Sequence, residues 1–351
     1  MNFFAGVLPL LVFVVVATGG RLSYASGFPG FKCTSNATSC RAMVGFVAAN
    51  ETTISAIQKL FSISDFNALL SANGLPSSTA ASLPVKSSET IKIPFNCSCN
   101  SNQTGVSANM PVYIVKSGDT LDTIASKIFS GLVTYQQIAT INNMTNPDKI
   151  DIGQKLRIPL PCSCDQVDGV PVVHYAHVVA PMSTVAGIAQ QFGTTEGTLL
   201  SLNGIANASL LQANQVLDVP LRVCNSSVMT DSVDYPLLVP NGTYTYTANN
   251  CVRCSCDSGN NWTLQCEASR LQNVSCPAMQ CSGTPALSLG NSTVAGCNSS
   301  TCTYLGFDGS GALMTATLSH STCPASGTGD AITKSWAWGL AAAVMYSMHF
   351  L

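Results

Sequence analysis

The sequence predicts an α+β fold in which three small strand–helix–helix–strand (βααβ) units, braced by disulfides, precede a cysteine-rich C-terminal region of mostly strand and irregular structure. Internal repetition supports this prediction, because three segments close with an apolar strand that ends in proline, and each has an asparagine upstream. Sixteen cysteines support it as well, since several of them flank the repeats. The predicted units cover residues 45–95, 112–159 and 174–221, and the cysteine-rich region covers residues 224–325.

The middle repeat shows the order of its elements most clearly. Residues 112–115 are β-branched and aromatic, which favours a strand, and Thr120 can cap a helix whose apolar positions recur with the helical period. Residues 133–141 predict a second helix, and the closing strand at 155–158 is stopped by Pro159. A unit of this size buries little apolar surface, so it needs cross-links or neighbours for stability.

The cysteines indicate an oxidising compartment. All sixteen lie between Cys33 and Cys323, and an even number in an exported chain predicts disulfides. Cysteines two apart on a strand face the same side, so the Cys-x-Cys pairs after the first two repeats are expected to bond to other segments. A metal site at the Cys-x-x-Cys-x-Cys motif of residues 251–256 is disfavoured, because no histidine lies nearby at ligand spacing. We therefore expect no metal and no cofactor.

Both ends of the chain carry targeting signals. Residues 1–25 combine an apolar run with small residues at the end, which predicts a secretory signal peptide; the alternative, a membrane anchor, needs a longer run. At the other end, small residues, a polar spacer and an apolar tail form a GPI-attachment pattern. Ser326 is the preferred attachment site over Gly327, and residues 327–351 are the propeptide that would be removed. The alternative, a C-terminal membrane anchor, is disfavoured by the lack of a basic flank.

Composition narrows the classes of partner. Charged residues make up 9% of the chain and the net charge is −2, so there is no basic patch for nucleic acid or anionic lipid. The density of Asn-x-Ser/Thr sequons predicts a heavily N-glycosylated surface. The twelve sequon asparagines are Asn36, Asn50, Asn96, Asn102, Asn143, Asn207, Asn225, Asn241, Asn261, Asn273, Asn291 and Asn298.

The opening and closing motifs of the middle repeat are the most specific part of the sequence. Residues 113–120 read Tyr-Ile-Val-Lys-Ser-Gly-Asp-Thr, Asn142 lies at the centre, and Ile-Pro closes the repeat. This pattern resembles the LysM module, and residues 31–323 are similar to the plant LysM domain-containing GPI-anchored proteins, in particular the subgroups tied to peptidoglycan and chitin sensing. The resemblance implies three disulfides: Cys33–Cys99, Cys40–Cys164 and Cys97–Cys162.

The resemblance also implies where a ligand would bind. LysM modules hold a glycan between the turn after the first strand and the loop before the last, which here means residues 116–120 and 144–151. Met144 and Ile150 are expected to contact the methyl of an N-acetyl group, and the first turn to supply hydrogen bonds, with Gly118 permitting close approach. The expected ligand-binding residues are Lys116, Ser117, Gly118, Asp119, Thr120, Met144, Thr145, Asn146, Pro147, Lys149 and Ile150.

Each of these roles has a structural alternative. Ile150 can fill the core beneath the loop, Met144 can be a surface residue without a role, and Asp119 can simply stabilise the turn. Asn142 suits a helix end and is expected to be structural.

The outer repeats depart from the motif. The first has Ala-Asn-Glu-Thr at residues 49–52 with a sequon at Asn50, and it carries an insertion, since 21 residues rather than 17 separate its asparagine from its proline. The third has Pro181, which lacks a backbone donor. We therefore expect binding to depend on the middle repeat, and avidity to come from long polymers that bridge several receptors.

An enzyme is the rival class, because LysM modules often accompany peptidoglycan hydrolases. Such an enzyme needs two positioned carboxylates or a nucleophile with its base. The cysteine-rich region of residues 224–325 has ten cysteines, few carboxylates and one histidine, His320. His174 and His177 are three apart on a predicted strand, so they face opposite sides and form no metal pair. We therefore expect no catalysis.

The resemblance implies a receptor in innate immunity at the outer face of the cell membrane, held there by a GPI lipid. Its expected partners are peptidoglycan and chitin oligosaccharides. Because no cytoplasmic segment is expected, it would relay to a LysM receptor kinase as co-receptor, with homo-oligomers possible on the ligand. The alternative is a cell-wall glycan-binding adhesion protein that does not signal.

Overall fold

The computed structural model of the protein describes residues 30–34, 39–272, 274–309 and 312–321. The predicted signal peptide, the sequons at Asn36 and Asn273, Ser326 and the predicted GPI propeptide all lie outside the described residues. Within the described part of the chain, no helix combines the length and the apolar character that crossing a membrane requires.

Each repeat folds in the order strand, helix, helix, strand. The strands of this region are β1 (Phe31–Lys32), β2 (Ser39–Val47), β3 (Thr52–Thr53), β4 (Pro84–Val85), β5 (Thr90–Cys99), β6 (Thr104–Ser107), β7 (Val112–Ile114), β8 (Lys155–Arg157), β9 (Pro161–Cys162), β10 (Val172–Val178) and β11 (Val216–Arg222). The helices are α1 (Ile54–Leu60), α2 (Phe66–Ala72), α3 (Leu121–Thr123), α4 (Tyr135–Ile141), α5 (Val185–Phe192) and α6 (Glu196–Leu202). The first, second and third units are bounded by β2 and β5, by β7 and β8, and by β10 and β11.

Each helix begins where a short polar side chain accepts a hydrogen bond from the first turn, which satisfies a backbone donor that has no partner inside the helix. Thr120 and Thr134 also form capping boxes with Thr123 and Gln137. Helix α3 differs from the predicted single helix, because it continues as a π-helical turn over Ile124–Ile128. The six caps are Thr53, Asp65, Thr120, Thr134, Thr184 and Thr195.

The first and third units share one sheet. Its strand order is β1-β6-β5-β2-β10-β11, with β9 beside β6, and β2 runs parallel to β10 with Met43 opposite Tyr175. The second unit keeps its own two-stranded ladder of β7 and β8. The shared sheet requires a glycine at its seam, because a Cβ on Gly45 would lie 2.1 Å from the Tyr175 hydroxyl oxygen.

The first and second units share one hydrophobic core. Phe61 of the first unit and Phe129 of the second are both buried and meet edge to face, with ring centroids 5.6 Å apart. The third unit has a separate core around Tyr175, and Met43 of β2 belongs to it. Burying one side chain of this size stabilises the fold by about 1.5–3 kcal/mol. The first unit is therefore the part against which both other units pack.

Three disulfides cross the repeat region, and they join the pairs that the resemblance implies. Their Cα atoms lie 5.5 to 5.9 Å apart, at sequence separations of 66, 124 and 65 residues. A cross-link over a loop this long stabilises a fold by about 2–4 kcal/mol, largely by restricting the unfolded chain. Among the described residues, the clusters with metal-ligand spacing consist of these bonded sulfurs. The bonds are Cys33–Cys99, Cys40–Cys164 and Cys97–Cys162.

The C-terminal region consists of short strands cross-linked by further disulfides. Its strands are β12 (Thr243–Thr247), β13 (Val252–Cys256), β14 (Gln265–Ala268), β15 (Gln280–Cys281), β16 (Thr284–Ser288), β17 (Ser292–Ala295), β18 (Asn298–Phe307) and β19 (Leu313–Ser321). They form the sheets β12-β13-β14 and β17-β18-β19 and the pair β15-β16. The disulfides of this region include Cys224–Cys256, Cys251–Cys276, Cys254–Cys266 and Cys281–Cys302.

The C-terminal region is docked on the first unit. The Tyr244 hydroxyl of β12 donates to the Leu75 carbonyl, just beyond α2, at 2.6 Å. From the other side, Arg41 Nη1 of β2 donates to Thr245 Oγ1 at 2.7 Å. These two contacts fix β12 against both a strand and a helix of the first unit.

Candidate functional site

Two turns of the second unit lie side by side at one end of its ladder. The first covers residues 116–120 after β7, and the second covers residues 144–151 before β8; together we call them the groove. Val115 joins their ends, because its amide donates to the Gln154 carbonyl at 2.9 Å and its carbonyl accepts from the Gly153 amide at 2.8 Å.

Asp119 braces the first turn of the groove. Its Oδ2 accepts a hydrogen bond from the Tyr113 hydroxyl at 2.8 Å and another from the Lys116 amide at 2.7 Å. Burial, together with the hydrogen bond and charge of Asp119, raises the pKa of Tyr113 to about 12, so its hydroxyl remains a donor at neutral pH. Gly118 has a φ of +84°, a left-handed backbone conformation that favours glycine in this turn. There is open space where a Cβ would stand, so the surface of the turn at Gly118 is free.

Side chains also shape the second turn of the groove. Asn146 Oδ1 accepts from the Asp148 amide at 2.9 Å, and the Asn146 carbonyl accepts from the Lys149 amide at 3.3 Å. Further along, Gln154 Oε1 accepts from the Asp151 amide at 3.0 Å. The Asn146 side chain is thereby engaged in holding the loop.

The apolar residues of the groove have one side on the core. Met144 and Ile150 are half-buried and pack against the core that the first two units share. Sequence reasoning missed Ile152, whose side chain is 74% exposed; an isoleucine among the polar residues of a turn was the available signal. Of the predicted ligand residues, Lys116, Ser117, Gly118, Thr120, Thr145, Asn146 and Lys149 are exposed, and Asp119, Met144, Pro147 and Ile150 are half-buried.

A central asparagine clamps the second helix of each unit to its closing strand. Asn142 Nδ2 donates to the carbonyls of Ile138 and Arg157, both at 2.8 Å, and Oδ1 accepts from the Arg157 amide at 2.9 Å. Asn73 and Asn203 make the corresponding three bonds in the first and third units. Asn142 therefore has the structural role that its position at a helix end predicts.

The first turn of the third unit keeps the backbone path of the groove but changes its side chains. The Ser183 amide donates to the Ala180 carbonyl at 3.2 Å, as the Asp119 amide does to the Lys116 carbonyl. Met182 stands where the second unit has its glycine, with a φ of +65° and a side chain that is 99% exposed. A β-carbon in this left-handed conformation is strained. The left-handed conformation of Met182 thus costs the third unit free energy of folding, a cost that the second unit avoids by having Gly118.

Sequon asparagines lie at the turns of all three units. Asn50 is in the first turn of the first unit, Asn143 precedes Met144, and Asn207 caps the 3₁₀ turn Ala208–Leu210 of the third unit. These three are exposed, which is a condition for N-glycosylation. The other described sequon asparagines are exposed too, namely Asn96, Asn102, Asn225, Asn241, Asn261, Asn291 and Asn298.

A buried ion pair joins the two strands of the third unit. His174 Nδ1 lies 2.8 Å from Asp218 Oδ1, and Nε2 lies 2.7 Å from the Asp165 carbonyl oxygen. Both ring nitrogens face oxygens, which favours the doubly protonated ring, while burial raises the pKa of Asp218. Burial alone would lower the pKa of His174, but the hydrogen bond and charge of Asp218 outweigh it, and the pKa lies above its usual value. The pair of His174 and Asp218 therefore has a structural role, joining the two strands of the third unit.

The comparisons with known proteins agree with this geometry. Residues 113–159 and 177–220 match the family model described as the LysM domain. These stretches coincide with the second and third units, so the paired turns and the helices between them are those of LysM modules.

The relatives place the chain in one family. It is 48% identical over 239 residues to LysM domain-containing GPI-anchored protein 2 of Arabidopsis thaliana, covering 68% of each chain. It is 42% identical over 306 residues to the chitin elicitor-binding protein of Oryza sativa subsp. japonica, covering 85% of this chain and 84% of that one. The protein belongs to the plant LysM domain-containing GPI-anchored proteins. Among solved structures, the ectodomain of a receptor-like kinase matches 52% of this chain and 93% of its own, at 20% identity and a TM-score of 0.44.

Proposed function

We propose that the groove of the second unit binds glycans that contain N-acetylglucosamine, and that the protein is a cell-surface receptor without catalytic activity. The observation that carries this proposal is the pair of turns, one with free surface around Gly118 and one with the half-buried Met144 and Ile150. The similarity to a protein named for binding the chitin elicitor supports this class of ligand.

The chemistry of an acetamido sugar suits the groove. Its N-acetyl group offers one amide donor, one carbonyl acceptor and one methyl. The carboxylate of Asp119 is engaged inside the turn, and the Thr120 hydroxyl is engaged in its capping box. We therefore assign the hydrogen bonds to the ligand to the exposed backbone around Gly118 and to the exposed Ser117 side chain, and the methyl contact to Ile150.

The proposed receptor acts through a partner. A shallow groove gives weak affinity, so long chitin or peptidoglycan polymers that bridge several copies would supply avidity and bring the copies together as homo-oligomers. A protein held on the outer face of the membrane by a GPI lipid needs a membrane-spanning partner to signal. We assign that role to a LysM receptor kinase. Co-precipitation of the two proteins from membranes with and without ligand tests this assignment. Association that is equal with and without ligand would contradict it.

A binding titration with a matched control tests the groove. Titrating the secreted chain with chitin oligomers and with soluble peptidoglycan fragments should show saturable binding to at least one of them. Ile150→Lys should weaken it at least tenfold, because it places a charge where the methyl would lie. Leu211→Lys is the control, since Leu211 is half-buried at the corresponding position of the third unit. Equal losses in the two variants would contradict the assignment to the second unit.

A further inference from the structure

A crevice of about 250 Å³ lies where the C-terminal region meets the first unit. Its lining combines the aromatic residues Tyr244 and Tyr246 with the polar residues Arg41 and Asn96. Typical small-molecule sites have volumes of about 300–1,000 Å³. The crevice is therefore sized for a single ring rather than for an oligosaccharide, and it lies apart from the groove.

Arg41 is the charged group of this crevice. Its guanidinium donates to Thr245 Oγ1 at 2.7 Å, and it takes part in no ion pair among the described residues. The Arg41 residue is exposed to solvent, and its pKa is lowered because burial of the guanidinium outweighs the opposing charges of Asp234 and Asp65. One guanidinium near two carboxylates does not favour an anion. Free N–H donors beside aromatic rings instead suit a neutral ring that carries hydroxyl and amide groups.

Asn96 lines the crevice and is positioned to hold such a ring at its mouth. It lies directly opposite Arg41 in the antiparallel pair of β2 and β5, so the two side chains stand on one face of the sheet. Asn96 begins an Asn-Cys-Ser sequon, is exposed, and makes no side-chain hydrogen bond within the described residues. Its amide nitrogen is thus free to carry a glycan.

We propose that the crevice binds the first N-acetylglucosamine of an N-glycan attached to Asn96, and that this sugar joins the C-terminal region to the first unit. Attachment at the rim gives the sugar a high effective concentration, so a site too weak to hold a free ligand is filled. The Arg41 donors meet its hydroxyl or acetamido oxygens, and the rings of β12 cover its apolar face.

Removing the sequon tests the proposal. The full chain is secreted from eukaryotic cells that add N-glycans, as wild type and as Ser98→Ala, which leaves Asn96 and Arg41 in place. We expect a glycan on Asn96 by peptide mass, and a melting temperature about 2–4 °C lower in the variant. Thr293→Ala is the matched control, because it removes the sequon of Asn291, which directly precedes exposed strand β17, and should leave the melting temperature unchanged. Should Ser98→Ala not be secreted, Asn96→Gln, which removes the same sequon, gives the same comparison.

A double-mutant cycle separates a sugar in the crevice from general stabilisation by a glycan. Arg41→Ala should lower the melting temperature less in the Ser98→Ala background than in wild type, because the sugar is one of the partners of Arg41. Additive effects would overturn the proposal, as would an unmodified Asn96 or an equal effect of Thr293→Ala.

The source of the sugar is tested with a free ligand. In the Ile150→Lys background, where the groove does not contribute, triacetylchitotriose should leave the melting temperature unchanged while the Asn96 glycan is in place, because the attached sugar already fills the crevice. A rise with the Asn96 glycan in place would assign the crevice to free glycans and overturn the tethered sugar. Neither outcome depends on whether the groove binds chitin, so failure here is distinct from failure of the proposed function.

Discussion

The Tyr113 hydroxyl and the Asp119 carboxylate are joined by a hydrogen bond of 2.8 Å that ties the opening strand of the second unit to the first turn of the groove. In the third unit the corresponding residues are His177 and Ser183, and no hydrogen bond joins these two described side chains. The second unit thus holds its turn by a side-chain contact that the third unit lacks.

Removing the Asp119 carboxylate should loosen the groove and leave the rest of the fold intact. Asp119→Ala removes two hydrogen bonds, at a cost of about 1–3 kcal/mol in the free energy of unfolding, and should weaken glycan binding because the turn is no longer held. Urea unfolding and a binding titration measure the two effects. Tyr113→Phe is the control, since it removes one of the two bonds and should cost less in both; a larger effect from Tyr113→Phe would show that the brace is misassigned.

The same contact predicts a loss of stability in alkali. The pKa of Tyr113 is raised from 10.0 to about 12 in the folded protein, so between these values the unfolded chain releases a proton that the folded chain keeps. The stabilisation is complete below pH 10 and is lost as the pH rises toward 12. The free energy of unfolding of the wild type should therefore fall more steeply across this interval than that of Tyr113→Phe. Parallel curves would show that Tyr113 titrates normally.

Exchanging one residue between corresponding turns should have opposite effects on stability. Met182→Gly relieves a β-carbon at a φ of +65° and should stabilise the protein by about 0.5–1 kcal/mol. Gly118→Met places a β-carbon at a φ of +84° and should destabilise it by a similar amount, because the open space there excludes a steric clash as the cause. Thermal unfolding measures both, and a loss of stability in Met182→Gly would mean that the methionine makes a favourable contact.

The buried pair of His174 and Asp218 predicts a second dependence on pH. The pKa of His174 is raised above 6.5 in the folded protein, so its stabilisation is complete below pH 6.5 and is lost as the pH rises through the higher folded value. The titratable group facing it on the neighbouring strand is Asp218, with Asp165 near Nε2. His174→Gln should remove this part of the pH dependence and lower stability at acidic pH. A variant with the wild-type pH profile would contradict the charged pair.

Local patterns in the sequence predicted the elements of the second unit well. The cap at Thr120, the helix-end role of Asn142 and the strand stop at Pro159 all depend on residues close in the chain. The same reasoning placed the start of the first unit at residue 45, whereas β2 begins at Ser39, because the polar residues at its start hide a strand that pairing with β5 stabilises.

Long-range relationships could not be predicted in this way. The parallel pairing of Met43 with Tyr175 and the contact of Phe61 with Phe129 join residues far apart in sequence, and no local pattern encodes them. The crevice at Arg41 belongs to the same class, since it exists only after the C-terminal region has docked. The sequence indicated both turns of the groove but gave no role to the exposed Ile152, which directly follows the second turn.

The first unit departs most from the motif, yet it shares a sheet with the third unit and a core with the second, and its Leu75 carbonyl holds β12. It therefore connects the other two units and the C-terminal region. Deleting this repeat should therefore destabilise the units that pack against it, whereas its exposed turns can change in sequence without that effect. The repeats thus form one cooperative structure rather than an array of independent modules. The repeat with the least recognisable ligand motif is the one on which the others depend.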